Sequence, residues 1–466
     1  MTDPAAPAAP ADTTTAHERA SAVIDRLHAY WAGREVVLLV NRYDGATRAL
    51  ADELTACGAV IAAVVAGSRC EPGAFGARHV WNCADHGISL PRARFDAWLR
   101  EPPAELVRWL DDLDPDRTWT ALGTTYTDTG EFCSRPVHGW WRREWAHWED
   151  KTEVDALWER AGTPAPPYEV LPVDSPDLTG AVARLDRGRG VVLAADATRS
   201  ALGSSKGLRW VRRPDELQPA LDDFAGTTDR LRVAAFMPGV PFSIMGMVLD
   251  SGVAAFEPFE IITLRDPADA RLVYGGTSTW WRADPEVRRQ IRHHTRLVGE
   301  RLAAEADYRG MFSIDGLATG DGFAVTELNP RHVSGLSLWA GWPEFPARLF
   351  NRAVQERVAG FVDSDWQDIE DSFSEAIRRS PAYMVKIPLE EGQAEQGTGT
   401  VLVPGGPKDG PEPDERAVRY SIEPKALRVL DVDQPRQDGA VAPLAAEVAN
   451  RLCSAGLVSF LDDHAH

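Results

Sequence analysis

The stretch Gly310–Arg331, GMFSIDGLATGDGFAVTELNPR, reads as two short strands joined by a tight turn. The first strand is apolar and ends near Leu317. The turn, Thr319-Gly320-Asp321-Gly322, is rich in residues that tolerate the backbone angles a hairpin needs. The second strand runs from Phe323 to Leu328 and is stopped by Pro330, which has no N–H for a ladder. Position 321 is the midpoint of Asp315 and Glu327, so a regular hairpin sets these carboxylates opposite each other. Like charges facing each other across a sheet repel, and the arrangement makes sense with a cation between them. Glu327, Asn329 and Arg331 follow at a spacing of two and share one face while the chain stays extended. Two carboxylates and an amide are hard oxygen donors, which suit Mg²⁺ or Mn²⁺ rather than zinc. An arginine beside such an ion points to a phosphate or a developing oxyanion. Taken alone, the same residues also fit a solvated acidic face with an ordinary Asn-Pro strand end.

Composition narrows the partners. The 466 residues are enough for two or three domains, and 44% hydrophobic content is ordinary for a globular protein. A formal charge of −20 repels nucleic acid and anionic membranes, so neither is expected as a partner. An anionic ligand such as ATP needs a local cluster of cations and a metal to overcome that field. Of the 50 basic residues only Lys151, Lys206, Lys386, Lys408 and Lys425 are lysines, which singles each of them out. The five cysteines, Cys57, Cys70, Cys83, Cys133 and Cys453, are scattered without a CxxC. That argues against a disulfide framework or a structural zinc site and makes a reducing cytoplasm the expected compartment. Residues 1–20 are rich in Ala, Pro and Thr and read as a disordered tail rather than a signal peptide. No apolar run approaches the length of a membrane span.

Residues 35–66 read as strand, helix, strand: Glu35–Val40, Thr47–Cys57 with Gly58 as a stop, then Val60–Val65. This predicts a small α/β domain over 21–145, without the Gly-x-Gly-x-x-Gly of dinucleotide binding. A helix is predicted over Glu149–Arg160, then the stiff connector Thr163–Pro167. Short strands and helices alternate over 146–355: strands at Val191–Leu193, Leu208–Val211, Leu231–Phe236 and Ser243–Leu249, helices at 214–224 and 284–306. Residues 356–466 form a smaller C-terminal portion, with a Gly- and Pro-rich mobile loop expected at 390–418 and an apolar helix near 442–455.

Three further segments carry chemistry. Between two predicted strands, Gly203-Ser204-Ser205-Lys206-Gly207 offers backbone N–H groups, hydroxyls and an ammonium to a phosphate. It equally fits a plain hairpin turn, and it is not a Walker loop. Lys151, in Glu149-Asp150-Lys151, sits at a predicted helix start where a cation is electrostatically wrong unless it serves something else; a surface charge cluster is the other reading. Val233–Gly239 is a strand running into Pro-Gly, whose Ala235 C=O and Met237 N–H could pair with an adenine edge, or which is simply a strand and turn.

Taken in order, the four sites resemble the ATP-grasp superfamily over roughly 149–340. The last of them, Asp315 with Glu327-x-Asn329-x-Arg331, is the specific one. The resemblance implies a pre-ATP-grasp α/β domain followed by an ATP-grasp fold, in which two α+β subdomains grip ATP. Asp315, Glu327 and Asn329 match the positions that hold Mg²⁺, and Arg331 the arginine on the γ-phosphate and the tetrahedral intermediate. Lys151 matches the first nucleotide lysine, Gly203–Gly207 the loop that closes over the phosphates, and Ala235 and Met237 the adenine contacts. The chain departs from the pattern in three places. Val191–Ala195 lacks the second lysine of the strand before the loop, for which Lys206 is the candidate substitute. Ala234 and Pro241 stand where the hinge often carries acids for adenine and ribose.

The chain looks most similar to actinobacterial members that join amino acids in natural-product pathways. The implied activity is an ATP-dependent carboxylate–amine ligase, with an amino acid and an amine as substrates and, by analogy, a homodimer. A small-molecule kinase on the same scaffold and a decayed nucleotide-binding protein are the alternatives. Tyr274–Ser278, Arg282 and His332–Gly335 are near the centre in sequence and are candidate substrate contacts.

Overall fold

The continuous apolar runs at 35–66 fold as read. β1 (Glu35–Val40) and β2 (Val60–Ala66) pair in parallel across the helix Gly45–Ala56. With β3 (His79–Asn82) and β4 (Thr120–Leu122) they form a sheet of order β3-β2-β1-β4. β5 (Glu131–Phe132) and β6 (Arg135–Pro136) make a short hairpin beside it. The structure is a computed structural model that describes residues 15–71, 73–88, 90, 92–196, 205, 207–266, 271–320, 322–333, 342–389, 393–404, 415–432, 439–453 and 456–460.

The tail expected over 1–20 ends sooner. The Thr15 hydroxyl accepts from the Glu18 N–H while the Glu18 carboxylate accepts from the Thr15 N–H, and this capping box starts the helix Ala16–Trp31. Residues 1–14 lie outside the described residues. Val23, Leu27 and Trp31 of that helix share one core with Leu38 of β1, Phe350 of the helix Ala347–Gln355 and Phe373 of the helix Trp366–Arg379. The N-terminal layer is therefore packed against elements that come about three hundred residues later in the chain.

A second sheet holds β7 (Tyr168–Pro172), β8 (Val191–Ala195), β9 (Leu208–Val211) and β10 (Arg230–Ala235) in the order β7-β10-β8-β9, all antiparallel. Helices Leu178–Leu185 and Pro214–Phe224 cover one face, burying Leu178, Leu217 and Phe224 against Leu193 and Val233. Strand alternation turns Val192, Ala194, Arg232 and Ala234 to the other face, where they line a cavity.

The largest sheet forms the opposite wall. Its strands are β11 (Val240–Val248), β12 (Val253–Ala255), β13 (Phe259–Arg265), β14 (Leu272–Ser278), β15 (Gly310–Ala318), β16 (Phe323–Asn329), β17 (Tyr383–Pro388), β18 (Gly397–Pro404), β19 (Glu415–Glu423), β20 (Ala426–Val432) and β21 (Val458–Ser459). The order is β16-β15-β11-β13-β14-β17-β20-β19-β18, with β12 on β11 and β21 on β13. The long helix Pro285–Ala306 packs Val298 and Leu302 against Ile244, Phe312 and Ile314. The mobile loop expected at 390–418 is corrected: Gly397–Pro404 pairs residue for residue with Glu415–Ile422. Alternation of Thr398, Thr400 and Leu402 with small or branched residues was hidden under a Gly and Pro count. Residues 390–392 and 405–414 lie outside the described residues. The sheet runs on through β17, β20, β19 and β18, beyond position 355.

β13 shows how one strand serves two layers. Phe259, Ile261 and Thr263 line the cavity, whereas Ile262 and Leu264 pack with Ala445 and Val448 of the helix Ala442–Cys453. Glu260, fully buried, caps that helix by accepting from the Val441 and Ala442 N–H groups at 2.6 and 2.9 Å. Burial pushes its carboxyl up to about 7, against which the two N–H groups pull it down. Folded protein then binds this proton more tightly than unfolded chain, so the contribution of Glu260 to stability falls as pH rises from about 4.5 to about 7. Thermal midpoints across that window should fall less steeply in Glu260→Gln than in wild type; parallel curves would refute the assignment.

Candidate active site

The hairpin brings Asp315 and Glu327 into register as expected, but not by regular pairing. From the turn upward the pairs are Ala318 with Phe323, Leu317 with Ala324 and Gly316 with Val325, a register that would set Asp315 against Thr326. A bulge at Thr326 shifts the ladder by one residue and puts Asp315 opposite Glu327. The Thr326 hydroxyl fixes the bulge by donating to the Asp315 C=O at 3.2 Å. Bulges re-aim side chains, and this one turns Glu327 and Asn329 to the same cavity as Asp315.

That cavity, about 350 Å³, lies between the second sheet and the largest one. Ser205, Lys151, Ala235, Met237, Asp315, Glu327, Asn329 and Arg331 all line it. The structure thus brings together residues up to 180 positions apart in the chain, Lys151 and Arg331. Gly207 stands at the base of the β8–β9 hairpin, where its C=O accepts from the Ala195 N–H. Ser205 holds a left-handed φ of 63°. Gly203, Ser204 and Lys206 lie outside the described residues.

The helix expected over Glu149–Arg160 is corrected. A 3-10 helix ends at Glu149, residues 151–154 turn, and the α-helix begins at Asp155. Lys151 is therefore in a turn, which removes the objection to a cation at a helix start. The turn lets side chains of this one segment tie to both sheets. Glu149 accepts from Arg331 at 2.8 Å, Lys151 pairs with Glu327 at 2.8 Å, Glu153 with Arg230 at 2.7 Å, and Asp155 receives a bidentate pair from Arg232 at 2.6 and 2.7 Å. Two of these ties reach the large sheet and two the small one.

Arg331 is held from three sides. Besides Glu149, it donates to the Asn329 side-chain oxygen at 2.8 Å, and its guanidinium lies 4.7 Å from the Tyr126 ring. Trp141 Nε1 donates to the Pro330 C=O at 3.2 Å and fixes the strand end. Burial pushes the Glu149 carboxyl above its usual range, with Arg331 beside it pulling it back. Burial and the facing Glu327 raise the Asp315 carboxyl, offset by a hydrogen bond from Ser243. Sequence reading missed the roles of Tyr126, Trp141, Glu149 and Asp155. A Tyr–Trp pair before a charged segment carries no signal of what it will face.

The donor set fits a hard divalent cation. Asp315 and Glu327 face each other, and Ser313, the register partner of Asn329, has a buried hydroxyl without a partner among the described residues. The Asn329 oxygen keeps a second lone pair beyond the one given to Arg331. Among the described residues no group of three or more His, Cys, Asp and Glu is placed to hold a metal. The other candidate contacts divide. Tyr274 and Thr277 line the cavity. Arg282 is instead committed to the Thr279 C=O, His332 is buried, and residues 334–335 lie outside the described residues. Gly276, at φ 129°, is explained by packing, because a Cβ there would meet the Met384 C=O at 1.8 Å.

No family model and no curated protein matches the sequence. Solved structures do match. The carboxyaminoimidazole ribonucleotide synthase of Aspergillus clavatus, complexed with ATP, is 12% identical at a TM-score of 0.53, covering 91% of this chain and 99% of that one. The same enzyme with ADP and 5-aminoimidazole ribonucleotide is 13% identical at 0.52, covering 86% and 95%. The L-amino acid ligase of Bacillus licheniformis is 11% identical at 0.51, covering 79% and 82%. Identities this low speak to the fold, and on that evidence the chain has the ATP-grasp fold.

Proposed function

We propose that this chain is an ADP-forming ligase that uses ATP to activate the carboxylate of an amino acid and joins it to an amine or a second amino acid. The observation that carries the reading is the one cavity in which Lys151, Asp315, Glu327, Asn329 and Arg331 converge beside the Ala235–Met237 backbone edge. The likeness to an L-amino acid ligase supports the substrate class.

The carboxylate oxygen of the substrate attacks the γ-phosphorus of ATP; the bond to the β,γ-bridging oxygen breaks, and ADP leaves. The amine nitrogen then attacks the acyl carbon, the carbon–oxygen bond to phosphate breaks, and the nitrogen loses a proton as the amide forms. A Mg²⁺ or Mn²⁺ ion held by Asp315, Glu327 and Asn329 supplies charge neutralisation when bound. Arg331, oriented by Glu149, Asn329 and Tyr126, donates to the oxyanion that develops at the acyl carbon. Lys151, whose ammonium pairs with Glu327 at 2.8 Å, supplies a positive charge for the phosphates.

The test is product analysis with ATP, Mg²⁺ and pooled amino acids. ADP together with a mass equal to two amino acids less water is the expected result. ADP with a phosphorylated product would favour the kinase reading, and AMP with pyrophosphate would overturn the acyl-phosphate mechanism. Arg331→Lys should lower kcat by about a hundredfold, because an ammonium cannot keep both the Glu149 pair and a bidentate aim. Steady-state kinetics on the identified substrates check this; an unchanged kcat would remove Arg331 from the chemistry.

A further inference from the structure

One cavity-lining side chain arrives from the far end of the chain and was not singled out by its sequence. β13 pairs with β11 only at Phe259 and Glu260; further along, at Leu264 and Arg265, the place beside it is taken by β21. The Phe460 N–H continues this pairing by donating to the Thr263 C=O at 3.1 Å. Thr263 itself lines the cavity, and the register delivers the Phe460 side chain to the same wall. The Phe460 ring lies 5.5 Å from those of Trp210 and Phe236, which stack on each other at 4.1 Å with 10° between their planes.

Trp210 belongs to β9 and Phe236 follows β10, so both are part of the small sheet, whereas Phe460 is tied to the large one. The aromatic cluster therefore closes the cavity across the two walls, next to the Ala235–Met237 edge. Phe236, Phe460, Leu272, Val192 and Pro241 give this end an apolar lining. Such a lining suits a flat ring with apolar faces and offers nothing to a phosphate. Among the described lining residues the only carboxylates are Asp315 and Glu327, so contact with the faces of the ring has to supply more of its binding.

We infer that Phe460 is a base-contacting residue: the segment Gly456–Phe460 carries an aromatic wall against which the purine ring of the bound nucleotide packs. The inference rests on the nucleotide reading of the cavity given above. A purely structural role for Phe460 would be to fill space beside Trp210, and it makes a different prediction.

Calorimetric titration of the whole chain with ADP in the presence of Mg²⁺ separates them. Phe460→Leu keeps most of the volume but loses the flat face, and Phe460→Tyr keeps the face. Phe460→Leu should raise the Kd for ADP roughly tenfold, the size of a lost aromatic contact, and Phe460→Tyr should stay within about twofold of wild type. Thermal midpoints of both ligand-free variants should lie within about 5 °C of wild type. ADP binding by Phe460→Leu as tight as wild type, or an equal loss in Phe460→Tyr, overturns the inference while leaving the nucleotide reading intact. Failure of the wild-type chain to bind ADP overturns both.

Discussion

Glu327→Gln is expected to abolish ADP formation, by about a thousandfold or more, while leaving the fold as stable as wild type to within about 1 kcal/mol. The two halves of that expectation have one cause. Asp315 and Glu327 are set opposite each other by a bulge that the hairpin does not need for closure. Two facing carboxylates are a cost to the sheet, reduced here by Lys151 on Glu327 and the Ser243 hydroxyl on Asp315. A neutral amide keeps the shape and most of the hydrogen bonding but removes the charge that a divalent cation and the phosphates require. Asp315→Asn should be the sharper case. Its carboxyl is pushed up by burial and by Glu327 and has no ion-pair partner at contact distance among the described residues, so the variant should melt at the same temperature or slightly higher while losing turnover. ADP release and thermal midpoint measured on the same preparations decide the matter. Wild-type turnover in either variant would remove the pair from the metal site.

The hairpin was legible because its signal is local. Strand alternation, turn residues and a proline stop lie within one stretch, and the spacing of Glu327, Asn329 and Arg331 fixes their shared face. The βαβ unit and the helices at 214–224 and 284–306 were legible for the same reason. The bulge was not, because nothing in Val325-Thr326-Glu327 distinguishes a residue that pairs from one that is skipped. Lys151 was found by its rarity, yet its secondary structure was misread: the pattern of Glu149–Arg160 suits a helix, but residues 151–154 form a turn, tied to the large sheet through Glu149 and Lys151 and to the small one through Glu153 and Asp155. Propensity lost there to tertiary contacts. The β18–β19 pair was hidden by composition, since glycines and prolines at its ends outweighed alternation within it. Phe460 was out of reach altogether, because its place depends on which neighbour β13 has at Leu264.

Asp155→Ala is expected to destabilise the protein by about 3–5 kcal/mol, the largest stability loss among the ties made by the 149–155 segment. Asp155 and Arg232 are 2% and 4% exposed and meet through two short hydrogen bonds, so removing the carboxylate leaves a guanidinium buried without its counter-ion. Glu153 and Arg230, two residues away on each chain segment, are 47% and 38% exposed, and Glu153→Ala should cost less than about 1 kcal/mol because water screens that pair. The contrast tests burial rather than charge as the source of the effect. A double-mutant cycle supplies the second arm: Asp155→Leu with Arg232→Met removes both charges and should recover most of what Asp155→Leu alone loses. Activity should not return with stability, because Arg232 lines the cavity from β10, directly opposite Ala194 of β8, and the double variant takes a cation from that wall. Denaturant unfolding and ADP release on the four proteins of the cycle read the two consequences separately. Recovery of both in the double variant would make Arg232 a scaffold residue alone; recovery of stability without turnover would place its charge among those that hold the nucleotide.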